Sequence, residues 1–181
     1  MLTPKNLLGA LALSFAVVLG ASGASATSYT ITASLDGAQE TPPVVTFGTG
    51  TLTGTYDDVT NLLTWSGTFS NLTGTTTNAH FHGPAAVGVG PAAVTVGTTA
   101  STGDIFPLGV TSGSFSGTAT ITETHEGQLL AGLWYHNIHS TFAGGGEIRG
   151  QVIATVVPEP TTLGLLGLGL VGLAAASRRR S

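Results

Sequence analysis

The residues of this 181-residue chain that could carry out chemistry together are its closely spaced histidines. His80 and His82 lie two apart in the sequence NAHFHGPA, and His136 and His139 follow in LWYHNIHS. On a β-strand, residues two apart project from one face, so His80 and His82 would present two imidazoles together. Neutral imidazoles suit zinc and copper, and two of them form half of a metal site. The pair could equally cap a strand end by hydrogen bonding to the following loop.

A third ligand would come from LWYHNIHS. Strict alternation places His136 and His139 on opposite faces of one strand, so they should not bind one ion together unless a bulge shifts the register. If the strands that carry His82 and His139 are neighbours, His80, His82 and His139 converge. Three histidines with an open position are typical of catalytic or substrate-binding metal sites. His125, in the polar sequence ETHEG, is expected to be a solvated surface residue.

Glu147 and Arg149 lie two apart in GGGEIRGQV, and Arg149 is the only Lys or Arg residue between positions 27 and 157. A guanidinium binds a carboxylate bidentately, so we expect a structural ion pair that fixes this last strand. Two alternatives remain at this stage. Arg149 could lie at the rim of an anion or metal pocket, and Glu147 or water could supply a fourth metal ligand.

The histidines, Glu147 and Arg149 must be positioned by strands, which are predicted from short runs of alternating apolar and polar residues. Threonine and glycine dominate the segment 27–157, and no stretch of it shows helical periodicity. Strands are predicted near 29–35, 50–56, 62–69, 79–82, 114–122, 129–138 and 147–155, with one more at 93–96 in a loop-like segment rich in glycine and proline. This spacing predicts a single antiparallel β-sandwich of the immunoglobulin-like or superoxide-dismutase-like kind, with a barrel as the alternative.

Composition excludes several classes of function. The segment 27–157 is strongly acidic and lacks any basic patch, which excludes nucleic acid as a partner. The chain has no cysteine, so disulfides, thiolate metal sites and cysteine nucleophiles are absent. No GxSxG sequence of a serine hydrolase occurs either. A non-enzymatic domain is therefore expected.

The N-terminal segment has the layout of a secretory signal peptide. Lys5 precedes an apolar run at 7–19, and the small residues Ala24 and Ala26 end the segment. We expect residues 1–26 to direct export of the chain through the Sec translocon and to be removed by signal peptidase after Ala26. The mature protein would then begin with the domain at 27–157.

The C-terminal segment 158–181 combines a PEP tripeptide, an apolar run at 163–176 and an arginine cluster. The residues of the tripeptide and the cluster are Pro158, Glu159, Pro160, Arg178, Arg179 and Arg180. In this order they resemble the PEP-CTERM sorting signal of Gram-negative bacteria. The resemblance implies a transient inner-membrane anchor formed by a transmembrane helix, with the arginines on the cytoplasmic side. It also implies recognition by an exosortase and release at the cell surface, commonly among exopolysaccharides.

The sequences AHFHGPA at 79–85 and LLAGLWYHNIHS with GGGEIRGQV within 129–152 resemble the CHRD domain, over nearly all of 30–154. This resemblance implies an all-β extracellular module and supplies no catalytic residues. His136 stands where that family would have an aliphatic residue. A looser similarity is to Cu/Zn superoxide dismutase, another sandwich with a His-x-His strand, although five histidines and no cysteine do not favour dismutase activity.

Two functions therefore remain open. The first is a secreted, exosortase-sorted module of the bacterial cell envelope or extracellular matrix with a non-enzymatic adhesive or structural role. The alternative is a copper- or zinc-binding β-sandwich that uses His80, His82 and His139.

Overall fold

The computed structural model describes residues 27–97, 105–158 and 162–179. The predicted signal peptide, with Ala24 and Ala26, lies outside these residues, as do Glu159, Pro160 and Arg180 of the predicted sorting signal. The described residues form nine strands, two α-helices and a 3₁₀ helix: β1 (Ser28–Asp36), the 3₁₀ helix Gly37–Gln39, β2 (Thr49–Asp57), β3 (Leu62–Ser70), β4 (Thr76–His82), β5 (Val94–Gly97), β6 (Gly113–Thr120), α1 (Glu123–Leu130), β7 (Tyr135–Ser140), β8 (Ile148–Gln151), β9 (Ile153–Val156) and α2 (Thr162–Arg178).

These strands form one antiparallel sheet in the order β5-β4-β7-β8-β1-β2-β3-β6, with β9 also paired to β1. The sheet is curled, as contacts across the core between strands that are distant in this order show. The rings of Trp65 on β3 and Phe81 on β4 lie 5.1 Å apart, and those of Phe115 on β6 and His136 on β7 are stacked at 5.1 Å. The all-β prediction is confirmed, as a nearly closed, sandwich-like sheet.

Alternation along β1, β2, β3 and β6 separates two kinds of side chain. The inward positions are apolar and buried, as Ile31, Leu52, Trp65 and Phe115 illustrate. The outward positions carry hydroxyls in three rows of four across these strands, which we call the hydroxyl face: Thr30, Thr55, Thr64 and Thr118; Thr32, Thr53, Ser66 and Ser116; Ser34, Thr51, Thr68 and Ser114.

The strand predicted at 129–138 is wrong in its first half, because residues 129 and 130 end helix α1 and residues 131–134 connect the helix to β7. The Thr122 side chain accepts a hydrogen bond from the His125 N–H and so caps the helix, and Glu123 and Glu126 lie in its first turn. Gly132, with φ of 68°, follows the C-cap and ends the helix. A helix this short is specified by its ends, so its apolar periodicity was too weak to reveal it.

The single strand predicted at 147–155 is instead two strands, β8 and β9. Val152 separates them, and its N–H donates to the carbonyl of Trp134. Strand β8 pairs with β7 on one side and with the end of β1 on the other, whereas β9 pairs with the first half of β1.

Helix α2 is 17 residues long and includes the C-terminal apolar run at 163–176. No helix among the described residues is both long and apolar enough to cross a membrane. The transmembrane helix and the transient anchor stay predictions.

Candidate metal site

Strands β4 and β7 are antiparallel neighbours, which is the arrangement that the convergence of three histidines required. The register places His80 opposite Asn137, and His139 opposite Asn78, so His80, His82 and His139 share one face. His136 projects from the other face of β7 into the core, as strict alternation predicted.

Three ring nitrogens meet on this face. The distance from His80 Nδ1 to His82 Nε2 is 2.9 Å, and that to His139 Nε2 is 3.2 Å. The three potential ligand atoms all lie within 4.8 Å of one another. A tetrahedral zinc ion with bonds of about 2.0–2.1 Å holds its ligand nitrogens about 3.3 Å apart. Small shifts of these rings would therefore suffice to bind one ion.

The outer nitrogens of two of the rings are held by backbone carbonyls. His82 Nδ1 lies 2.8 Å from the Ala92 carbonyl oxygen, and His139 Nδ1 lies 2.8 Å from that of Gly144. A carbonyl only accepts, so each Nδ1 carries the proton and each Nε2 presents its lone pair to the centre. This is the tautomer that metal ligation needs, and carbonyls commonly fix ligand histidines in this way.

His80 is held in the opposite tautomer. The Asn78 amide oxygen accepts from the Ala79 N–H at 2.8 Å, which turns the amide nitrogen toward His80 Nε2, also at 2.8 Å. His80 Nε2 therefore accepts, and its proton sits on Nδ1, between His82 and His139. This proton lies where an ion held by the three histidines would bind, so an ion could bind His80 Nδ1 only if it displaced the proton.

The three imidazoles are neutral at neutral pH. Burial, together with the neighbouring His139 and His82, lowers the pKa of His80 to about 4. Burial likewise lowers the pKa of His82 and of His139, against hydrogen bonds to backbone carbonyls that raise it. A neutral ring retains the lone pair that a metal requires.

A buried cation lies beside the histidines. The Arg149 guanidinium carbon is 3.5 Å from the centre of the Tyr135 ring, and the His82 ring stacks on Tyr135 with centroids 4.8 Å apart. Arg149 donates to Thr41 Oγ1 at 2.9 Å and to the Val89 carbonyl at 2.8 Å. Burial lowers the pKa of Arg149, while Tyr135 and the carboxyl of Glu40 raise it.

The ion pair expected between Glu147 and Arg149 is wrong. The acidic neighbour of Arg149 is Glu40, whose burial raises its pKa to about 7 against the attraction of Arg149. Burial also raises the pKa of Glu147, but hydrogen bonds outweigh it and leave that pKa below its usual value. Four donors supply these bonds: Ser140 Oγ, Thr46 Oγ1, Thr73 N–H and Gly74 N–H. Glu147 therefore joins loops at one end of the sheet and is not a metal ligand.

The other two histidines lie apart from the candidate site. His136 is fully buried against Phe115 and Phe81, and burial lowers its pKa to about 3. His125, expected to be solvated, is half-buried on α1 with its ring edge-on to Trp134 at 5.7 Å. The contact of His125 with Trp134 was not predicted from the sequence because helix α1 was not predicted.

Two asparagines of the site were missed by the sequence reasoning. Asn78 precedes His80 by two positions and Asn137 precedes His139 by two, so alternation places each amide on the face of its histidine. An Asn-x-His spacing on both strands was thus the available signal. The resulting arrangement can hold one divalent transition-metal ion with neutral nitrogen ligands.

Fold and site together define an all-β module with one exposed polar face and one cluster of histidines between adjacent strands. The CHRD domain matches residues 31–152, and the chain belongs to this family. The PEP-CTERM protein-sorting motif matches residues 156–180 and indicates recognition by an exosortase, with export to the surface or exterior of a bacterial cell. No curated protein and no solved structure matches the chain.

Proposed function

We propose that this protein is a non-enzymatic, metal-binding module of the bacterial cell envelope or extracellular matrix, which holds one zinc or copper ion with His80, His82 and His139. The convergence of three ring nitrogens within 4.8 Å carries this proposal. The fixed tautomers of His82 and His139 support it, because two of the three lone pairs are already aimed at a common point. Neither the CHRD domain nor the sorting motif is known as an enzyme.

Export to that location completes the proposal. We expect the Sec translocon, signal peptidase cleavage after Ala26 and a transient inner-membrane anchor in a Gram-negative cell. The sorting motif supports the exosortase step of this route. In the matrix, a bound ion would stabilise the β4–β7 pair and so the domain.

Calorimetric titration of the purified full-length protein with Zn²⁺ and with Cu²⁺ tests the metal site. We expect one ion per chain, and binding at least about tenfold weaker after His139→Ala, because the variant loses a ligand. His125→Ala is the matched control and should bind as the wild type does. Equal binding by wild type and His139→Ala would contradict the proposal.

A second candidate function is adhesion to neutral polysaccharide through the hydroxyl face. None of its twelve side chains carries a charge, and hydroxyls both donate and accept hydrogen bonds, as sugar hydroxyls do. A depression of about 460 Å³ lies on this face, and its lining residues include Thr53, Ser66 and Ser116 together with the aromatic Phe115. This combination supports the adhesive role expected from the sequence.

Binding of the full-length protein to immobilised neutral and anionic polysaccharides tests adhesion. Thr53→Val with Ser66→Ala removes two hydroxyls from the depression while it preserves most of the side-chain volume. We expect retention on neutral polysaccharide that falls in this variant and persists in Thr124→Val, an exposed control on α1. Retention that is equal in all three proteins would contradict this role.

A further inference from the structure

Asn137 is a buried polar residue on the same face of the sheet as the three histidines. It lies on β7, directly opposite His80 on β4, and two positions before His139. Its side chain is 2% exposed. Alternation along β7 places it on the face of His139, so its amide lies within the cluster that would surround an ion.

The orientation of this amide follows from what surrounds its nitrogen. Asn137 Nδ2 donates to the Gly145 carbonyl at 3.3 Å. A Cβ atom added to Gly146 would lie 2.6 Å from the same nitrogen and would collide with Glu40 Oε1, so the nitrogen faces the Gly145–Gly146 backbone and Glu40. The oxygen consequently faces the histidines. Burial lowers the pKa of His80 and of His82, and the nearby Asn137 amide opposes this effect, which agrees with an oxygen directed at both rings.

Asn137 Oδ1 is buried without a hydrogen-bond partner that satisfies normal geometry among the described residues. Leaving a buried polar atom without such a partner is unfavourable, so native proteins rarely do it. Amide oxygens bind metal ions. With His80, His82 and His139 this oxygen completes four donors, the number of a tetrahedral zinc site.

We propose that Asn137 Oδ1 is the fourth ligand of the metal ion. This inference rests on the proposed metal-binding function and adds to it. Strand β4 would supply His80 and His82, and strand β7 would supply Asn137 and His139, so the ion ties two adjacent strands together. Four protein ligands leave no open position, which identifies a structural ion and excludes a substrate-binding one.

Competition for Zn²⁺ between the full-length protein and a chromogenic chelator tests this assignment. Asn137→Ala removes the oxygen, and we expect the dissociation constant to rise at least about tenfold. Asn137→Asp keeps an oxygen at the same place and should bind Zn²⁺ at least as tightly as the wild type. Asn61→Ala is the control for the loss of an asparagine side-chain hydrogen bond, since Asn61 accepts from the Tyr56 hydroxyl away from the site.

The outcomes separate the two proposals. A wild type that binds one Zn²⁺ and an Asn137→Ala variant of equal affinity would overturn the fourth ligand and retain the three histidines. A wild type that binds no Zn²⁺ would overturn both proposals. If Asn137→Ala does not fold, wild-type protein labelled with ¹³Cγ-asparagine decides the question by NMR. A shift of the Asn137 signal on adding Zn²⁺ supports ligation, and an unmoved signal overturns it.

Discussion

His139 Nε2 lies 3.2 Å from His80 Nδ1, although the two residues are 59 positions apart in the sequence. The antiparallel pairing of β4 with β7 creates this contact, and His82 Nε2 joins it at 2.9 Å from the same His80 atom. Because the proton between them belongs to His80, the metal-free cluster is stable as a hydrogen-bonded group. Its conversion to a metal site depends on moving that proton.

Asn78→Asp should therefore tighten metal binding. The carboxylate can still accept from the Ala79 N–H, and its second oxygen can accept a proton from His80 Nε2, which leaves the lone pair of Nδ1 directed at the ion. Carboxylate–histidine pairs of this kind typically change metal affinity by about 10–100-fold. Competition titration with Zn²⁺ measures the change. Asn61→Asp adds the same charge away from the site and should have no effect; a similar gain in that control would refute the explanation.

His136→Leu should make the protein less sensitive to acid. Burial lowers the pKa of His136 from 6.5 to about 3, so the unfolded chain takes up this proton first as the pH falls. The neutral ring thus contributes stability above pH 6.5 that is lost as the pH falls toward 3. Each pH unit by which the pH falls inside this window lowers the free energy of unfolding by about 1.4 kcal/mol. Urea unfolding of the wild type and of His136→Leu at pH 7 and pH 4 measures how much stability each protein loses. Equal losses in the two proteins would contradict the prediction.

Glu147→Gln should lower the free energy of unfolding by about 2–4 kcal/mol, because an amide nitrogen would replace an oxygen that accepts from buried donors. The four donors, among them Ser140 and Thr73, would lose a charged acceptor. Glu123→Gln, an exposed change on α1, is the control, and we expect a change below about 1 kcal/mol. Urea denaturation measures both. A loss no larger than that of the control would show that Glu147 does not join the loops.

Gly67→Ala and Gly127→Ala should have opposite effects on stability. A Cβ at Gly67 would collide with the Thr51 carbonyl oxygen and the Phe115 ring, whereas one at Gly127 on α1 would meet no atom within 4 Å. We expect Gly67→Ala to destabilise by about 1–3 kcal/mol through overpacking. Gly127→Ala should stabilise by about 0.5–1 kcal/mol, since alanine favours the helix. Thermal unfolding compares them, and destabilisation by both would contradict this account of α1.

The sheet and the histidine cluster could be predicted because both depend on alternation, which short sequences reveal. His80 and His82 share a face by spacing alone, and only the adjacency of β4 and β7 had to be supposed. The partners of Glu147 could not be predicted in this way. Thr46 lies 101 positions from Glu147, in a loop whose path no periodicity encodes. The same reason applies to Arg149, whose contacts with Thr41 and Val89 come from two separate loops.

The most direct measurement is the metal content of the purified full-length protein, by mass spectrometry after exposure to zinc or copper and dialysis. The wild type is compared with His80→Ala/His82→Ala and with the control His125→Ala. We predict close to one ion per chain in the wild type and the control, and almost none in the double variant. Equal metal content in all three proteins, or none in any, would contradict the metal site.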